Sequence, residues 1–218
     1  MPQPVCPPIG PGRFIDLEGP DGSGKTTQAA RLVAWLRTFA PDVVTCRDPG
    51  GTTLGEAIRA IVKGPSTTAI SIHSEMLLFM ASRAQMVDEV IAPALMRGAV
   101  VVTDRFLLSN VVYQGRAGGL DPEEIWSVGR IATGGLMPDL TILIDLPPEL
   151  ASARIGPARD RIENRGSEYR DRVRQGYLDE VAALSTPSAV IDGSLGPDDV
   201  ELSIRHEVNR ALGIGPRP

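Results

Sequence analysis

The sequence predicts a three-layer α/β/α domain on a five-stranded parallel sheet, and three observations predict it. Five short apolar runs recur along the chain, four of them are followed by stretches with helical spacing, and the runs are apolar on both faces. A strand with one wet face alternates apolar and polar, whereas a strand covered by helices on each side does not. Strands of this kind alternating with helices argue for right-handed crossovers and parallel pairing. At 218 residues, one domain with a full core is the simplest organisation.

The first run, "RFIDLEG" (13–19), leads through a Gly-rich turn into the helical stretch "TTQAARLVAWLRTF" (26–39). The second, "DVVTCRD" (42–48), ends in charge just before "PGGT". The third, "AVVVTDR" (99–105), sets Asp104 and Arg105 immediately after five apolar or small residues. The fourth and fifth are "LTILIDL" (140–146) and "SAVIDGS" (188–194). Ligands on such sheets bind at the strands' carboxyl ends, where three of these runs carry charged or Gly-rich clusters. Residues 1–12, rich in Pro and Gly, are expected to be a loose leader, residues 13–213 the domain, and 214–218 a frayed tail.

Composition narrows the function classes. The hydrophobic fraction is 42% and the charged fraction 22%, the balance of an ordinary globular protein. A net charge of −5 argues against a surface that coats nucleic acid, though a small anionic ligand needs only local positive charge. Cys6 and Cys46 make neither a disulfide framework nor a metal pattern, so a cytoplasmic location is expected. The start lacks the basic and apolar segments of a secretion signal, and no apolar run is long enough to span a membrane.

Lysine occurs only at Lys25 and Lys63; every other basic residue is arginine. Lys25 belongs to Gly19-Pro20-Asp21-Gly22-Ser23-Gly24-Lys25-Thr26, which satisfies G-x-x-x-x-G-K-[ST] between a strand and a helix. The glycines let the backbone curl so that several N–H groups, with the amide end of the following helix, face one phosphate chain. Thr26 can hold Mg²⁺ by its hydroxyl, and Thr27 extends the loop into the helix. A compact ammonium fits inside such a loop and bridges β- and γ-phosphates; a planar guanidinium is too wide. The expected architecture is therefore a P-loop kinase fold.

The N-K-x-D pattern of a GTPase is absent, Asp104 and Asp145 are not followed by glycine at the spacing of its D-x-x-G switch, and there is no L-S-G-G-Q-like stretch of a transporter ATPase. Arginines instead gather near strand ends, at Arg47, Arg105, Arg154, Arg159, Arg161 and Arg165. Phosphoryl transfer between two anions needs cations to offset their repulsion, a pattern that suits a nucleoside monophosphate kinase.

Taken with that loop, "DPGGT" (48–52), "LLFMASRAQ" (77–85), "DRFLLSNVVYQG" (104–115), "ARDRIE" (158–163) and "RVRQGYL" (172–178) resemble the thymidylate kinase family, in order from about Phe14 to Leu212. The resemblance implies ATP-dependent phosphorylation of dTMP with Mg²⁺, and a homodimer. It implies that Asp21 touches the deoxyribose 3′-hydroxyl near the metal, and that Arg47 and Arg105 hold the acceptor phosphate. Asp104 would organise Mg²⁺ through water. Phe79 would stack on thymine, with Arg83 on a base carbonyl and Ser109 and Asn110 on the remaining polar edge. Tyr113 would sit where a ribonucleotide carries its extra hydroxyl. Residues 154–166 would form a short lid, with Arg161 or Arg154 over the transferring group.

Departures and alternatives stand beside this. The family more often has Glu at the position of Asp48, so Asp48 is set aside. On spacing alone Phe79 reads as core, and the apolar stripe of "SEMLLFMASRAQMVDEVIAPAL" serves a dimer seam or a core equally well. A kinase of another nucleoside monophosphate, a catalytically inactive nucleotide-binding module and a motor or switch ATPase remain open. The histidines, His73 and His206, fall in no motif, and a phosphate acceptor needs no general base, since its second pKa lies near 6.

Overall fold

The strand that begins the domain, β1 (Arg13–Glu18), lies at the centre of a parallel sheet ordered β2-β3-β1-β4-β5, with β2 Val43–Arg47, β3 Val100–Asp104, β4 Leu140–Asp145 and β5 Ser188–Asp192. The structure is a computed structural model describing residues 12–64, 69–155 and 166–215. All five expected strands are present within a residue or two of the bounds read from the sequence. The expected leader apart from Gly12, and all but the ends of the expected lid, Arg161 included, lie outside the described residues.

From β1 the chain runs through α1 (Lys25–Leu36) to β2, returns by α2 (Thr53–Lys63), α3 (Ile72–Met86), a π-helical turn and α4 (Ala92–Met96) to β3, then crosses to β4. The order thus reverses at β1, which opens a crevice beyond its carboxyl end. Between β3 and β4 lie α5 (Leu107–Asn110), which continues as a π-helical segment over Val111–Arg116, and α6 (Pro122–Ala132). Three further helices, α7 (Pro148–Ile155), α8 (Ser167–Ala183) and α9 (Pro197–Leu212), surround β4 and β5.

Alternation along the buried strands sorts side chains to the two helical layers. Ile15, Leu17, Val100, Val102, Ile142 and Ile144 face a core shared with Leu32 and Val33 of α1 and Val200, Ile204 and Val208 of α9. Phe14 and Val101 face the opposite core, with Met76 and Met80 of α3, Phe106 and Ile125. The same two-residue period places Asp16 and Glu18 on the Phe14 side. Both are almost fully buried, and Asp16 accepts a 2.8 Å hydrogen bond from Thr103. Most of the apolar stripe in residues 74–95 enters this core, while Leu77 stays about half exposed.

Candidate active site

The phosphate loop turns where only glycine turns readily. Gly22 has φ 82°, and a Cβ there would lie 2.6 Å from the Ala151 carbonyl; Gly24, at φ 96°, starts α1. Helices α2, α3 and α6 are each capped by a side chain, from Thr52, Ser71 and Asp121. The start of α1 has neither a side-chain cap nor an acidic residue in its first turn, an arrangement compatible with an anion at its amide end.

Lys25 is buried and donates to the Pro20 carbonyl at 2.8 Å, curled over the loop. Burial, with the nearby positive charge of Arg105, lowers its pKa to about 8. Thr26 donates to Asp104 at 2.6 Å. The pairing follows from register: Asp104 shares the α1-facing parity of Val100 and Val102.

Arg105, one step beyond, would be directed the other way by simple alternation, and its backbone sits at φ 75°. It is the one non-glycine residue with positive φ among the described residues, a conformation costing about 1 kcal/mol or more. Its guanidinium donates to Asp21 at 2.6 Å, Tyr177 at 2.7 Å, Ser109 at 3.0 Å and Tyr113 at 3.2 Å. Burial alone would favour the neutral guanidine, but Tyr113, Tyr177, Asp21 and Glu18 hold its pKa well above the ordinary value. Burial likewise opposes the charge on Asp21, yet Arg105 and then Lys25 hold that carboxyl well below the usual range.

Behind Arg105 stands Glu18. Fully buried, it accepts from the Phe106 and Ser109 amides at 3.0 Å each, from the Ser109 hydroxyl at 2.6 Å and from Tyr177 at 2.9 Å. Sequence reasoning passed over Glu18, although two acids spaced by two in an otherwise apolar strand are a readable signal. Tyr177, on α8, carried no such signal.

Two hollows meet at Arg105. A polar cleft is lined by Lys25, Thr26, Arg47, Arg59, Asp104 and Arg154, together with Asp21 and Lys63. Arg47 there pairs with Glu56 at 3.0 Å, both well exposed. The adjoining pocket is lined by Phe79, Arg83, Asn110, Tyr113, Gln114 and Asp48. Asp21, Asp48, Lys63 and Arg105 border both.

Phe79 is largely buried yet lines this second pocket, so core and site readings both hold. Arg83, four residues on and 1% exposed, donates to the Phe106 carbonyl at 3.2 Å. Its Nε lies 2.6 Å from Asp48, an ion contact whose angle departs from a hydrogen bond. Burial raises the Asp48 pKa, and Arg83 counters only part of that. Asp48, set aside on sequence grounds, is the buried counter-charge beside Arg83. The Asp48–Pro49 peptide is cis.

Ser109 and Asn110 were expected to share one role, and their surroundings differ. The Ser109 hydroxyl is engaged by Glu18, Arg105 and Tyr177, whereas Asn110 Oδ1 has no hydrogen-bond partner among the described residues. Tyr113 lies against Asp21, 3.3 Å from its carboxylate, and under the Arg105 guanidinium.

Arg154, at the end of α7, donates to the Gly193 carbonyl at 3.1 Å. It lines both the cleft and a side pocket formed with Gly22, Gly24, Thr27, Leu195, Pro197 and Val200. The sequence marked its loop side through Gly22, Gly24 and Thr27, and carried no signal for Leu195, Pro197 and Val200.

Comparison with known proteins decides the family. The thymidylate kinase family model matches residues 17–204. The chain belongs to the thymidylate kinase family. A curated thymidylate kinase from Rhodopirellula baltica is 44% identical over 197 residues, covering 89% of this chain and 80% of that protein. One from Symbiobacterium thermophilum is 44% identical over 211 residues, 94% of this chain and 99% of that protein. The crystal structure of the Ehrlichia chaffeensis thymidylate kinase superposes with a TM-score of 0.73 at 30% identity, over 89% of this chain and 97% of that one. The thymidylate kinase fold here is thus the P-loop kinase fold expected from the loop and sheet.

The oxygen set Thr26, Asp104 and Asp21 suits a hard cation such as Mg²⁺, which is commonly held by one or two carboxylates plus substrate phosphates. Among the described residues no group of three His, Cys, Asp or Glu forms a metal cage, and a phosphate-borne Mg²⁺ does not require one.

Proposed function

We propose that this chain transfers the γ-phosphoryl group of ATP to the 5′-phosphate of dTMP, giving dTDP and ADP. The observation that carries the reading is continuity. The cleft holding the phosphate loop, Lys25, Arg47 and Arg105 opens through Asp21 into the pocket of Phe79, Arg83 and Asn110. Two anions can therefore lie end to end along one wall.

In this reading the loop amides and Lys25 hold the donor's β- and γ-phosphates, while Arg47 and Arg105 hold the acceptor phosphate in line. The bond from the γ-phosphorus to the β-bridging oxygen breaks, and a bond to an acceptor phosphate oxygen forms. The acceptor is already largely a dianion at neutral pH, so no proton has to be removed. Thr26, Asp104 and Asp21 would hold Mg²⁺, which neutralises charge on the β- and γ-oxygens when bound. Catalysis is then positioning and electrostatics, with Arg161 or Arg154 as the lid cation over the transferring group.

Phe79 would stack on the base and Tyr113, held against Asp21, would crowd a 2′-hydroxyl. The side pocket beside Arg154 would take the donor's adenine end. The single kinase domain over 13–213, a cytoplasmic location and the absence of nucleic-acid or membrane partners belong to the same proposal. They are supported by the net charge of −5, the buried free thiol of Cys46, and the lack, among the described residues, of a helix long and apolar enough to cross a membrane. A homodimer is supported by the family and by exposed Leu77 on α3, with Leu54 and Ile61 exposed on the neighbouring α2.

ADP release measured with ATP and dTMP, dUMP, dCMP or dGMP tests the function. Highest kcat/KM on dTMP is expected. A preference for another monophosphate, or no ADP from any, would overturn it.

A further inference from the structure

Behind the pocket of Phe79 and Arg83 runs a chain of buried polar side chains. Asn110 Nδ2 donates to Gln114 Oε1 at 2.8 Å, and Gln114 Nε2 donates to Glu75 Oε1 at 2.8 Å. All three residues are at most 2% exposed, and Asn110 and Gln114 line the pocket. Glu75 precedes Phe79 and Arg83 by four and eight residues, so the three share one face of α3.

An amide can be turned either way, and an Asn–Gln pair by itself is equally satisfied with both reversed. Glu75 breaks that symmetry, because its Oε1 accepts from the Gln114 side-chain NH₂. Gln114 must aim its NH₂ at Glu75 and its oxygen at Asn110. Asn110 must then give its own NH₂ to Gln114. What remains is Asn110 Oδ1, buried and without a partner among the described residues.

We propose that Glu75, acting through Gln114, is a positioning residue that keeps the carbonyl oxygen of Asn110 toward the base and so selects bases with a ring N–H over cytosine. The proposal rests on the reading of this pocket as the base site. Thymine and uracil offer a carbonyl O4 and an N3–H; cytosine offers an amino group and a bare N3. Arg83 carries only donors and the unpartnered atom of Asn110 is an acceptor, a pair that complements the first pattern and opposes the second. Buried polar groups facing the wrong partner discriminate far more strongly than a missing methyl group does.

The test is Glu75→Gln in the full chain, assayed with dTMP, dUMP and dCMP, with dCMP also measured as a competitive inhibitor. A glutamine can donate or accept, so both orientations of the relay become available. The dTMP-to-dCMP ratio of kcat/KM, or of affinities, is expected to fall about tenfold. The dTMP-to-dUMP ratio and the KM for ATP should hold, since both bases are imides and the donor site is remote. A folded Glu75→Gln protein whose dTMP-to-dCMP ratio stays within about twofold of wild type overturns the relay, whatever its total activity. Should that variant fail to fold, Gln114→Met removes the middle link, and an unchanged ratio there overturns it equally. A wild type indifferent to dTMP and dCMP would instead sink the base-site reading, and the relay with it.

Discussion

Lys25 sits under two opposing demands: a buried place inside the loop, and the charge that its proposed role on the donor's phosphates requires. Burial and Arg105 bring its pKa to about 8 in the free protein. Polyphosphate binds the protonated form, so kcat/KM for ATP should fall above pH 8, by about tenfold per pH unit at the limit. On the acid side, protonation of the acceptor near pH 6 sets the other limb. Stability runs the opposite way. The folded pKa lies below the unfolded one of about 10.4, so the unfolded chain binds more protons between pH 8 and that value, and stability from this group rises with pH there. Lys25→Met should therefore abolish turnover yet melt a few degrees higher at pH 7 without ligand. An unchanged kcat would remove Lys25 from the mechanism. Glu18 is the converse case, a carboxylate whose acceptor sites are filled by Phe106, Ser109 and Tyr177. Glu18→Gln puts donors where donors already point. We expect a loss of about 2–4 kcal/mol in urea unfolding and a higher KM for the acceptor as Arg105 loosens. An intact KM would mean that Asp21, Tyr113 and Tyr177 suffice to hold Arg105 without Glu18.

The elements act as rulers for these residues. Strand β1 sends Ile15 and Leu17 to one layer and Asp16 and Glu18 to the other, and β3 sends Asp104 to α1. The phosphate loop is equally constrained. Gly22→Ala must place a Cβ 2.6 Å from the Ala151 carbonyl at φ 82°, which should cost about 1–3 kcal/mol and displace the loop. Its signature would be a raised KM for ATP with little change for the acceptor. Asp48→Ala, at the end of β2, leaves the Arg83 charge buried without its counter-charge. A loss of about 3–5 kcal/mol is expected, measured by denaturant unfolding. A loss under 1 kcal/mol would show that the Phe106 carbonyl suffices to hold Arg83.

For the molecule as a whole, the proposed homodimer predicts that sedimentation equilibrium reports twice the chain mass and that Leu77→Asp reports one chain. A monomeric wild type would return Leu77 to the class of ordinary exposed apolar residues. The sequence by itself determined the architecture and the phosphate loop that is proposed as the donor site. Two-faced apolar runs admit little but buried parallel strands, and the phosphate loop is a contiguous motif whose geometry is local backbone. It also named Phe79, Arg83 and Asn110, though through family resemblance rather than spacing. Only the tertiary structure decided what holds them. Glu18 with Tyr177, Asp48 with Arg83, and Glu75 with Gln114 are pairs from different elements, brought together by sheet order and helix packing. The physical reason is range: strand and turn signals act over a few neighbouring residues, whereas the meeting of a buried charge with its partner depends on how distant segments pack, and no local pattern encodes that distance.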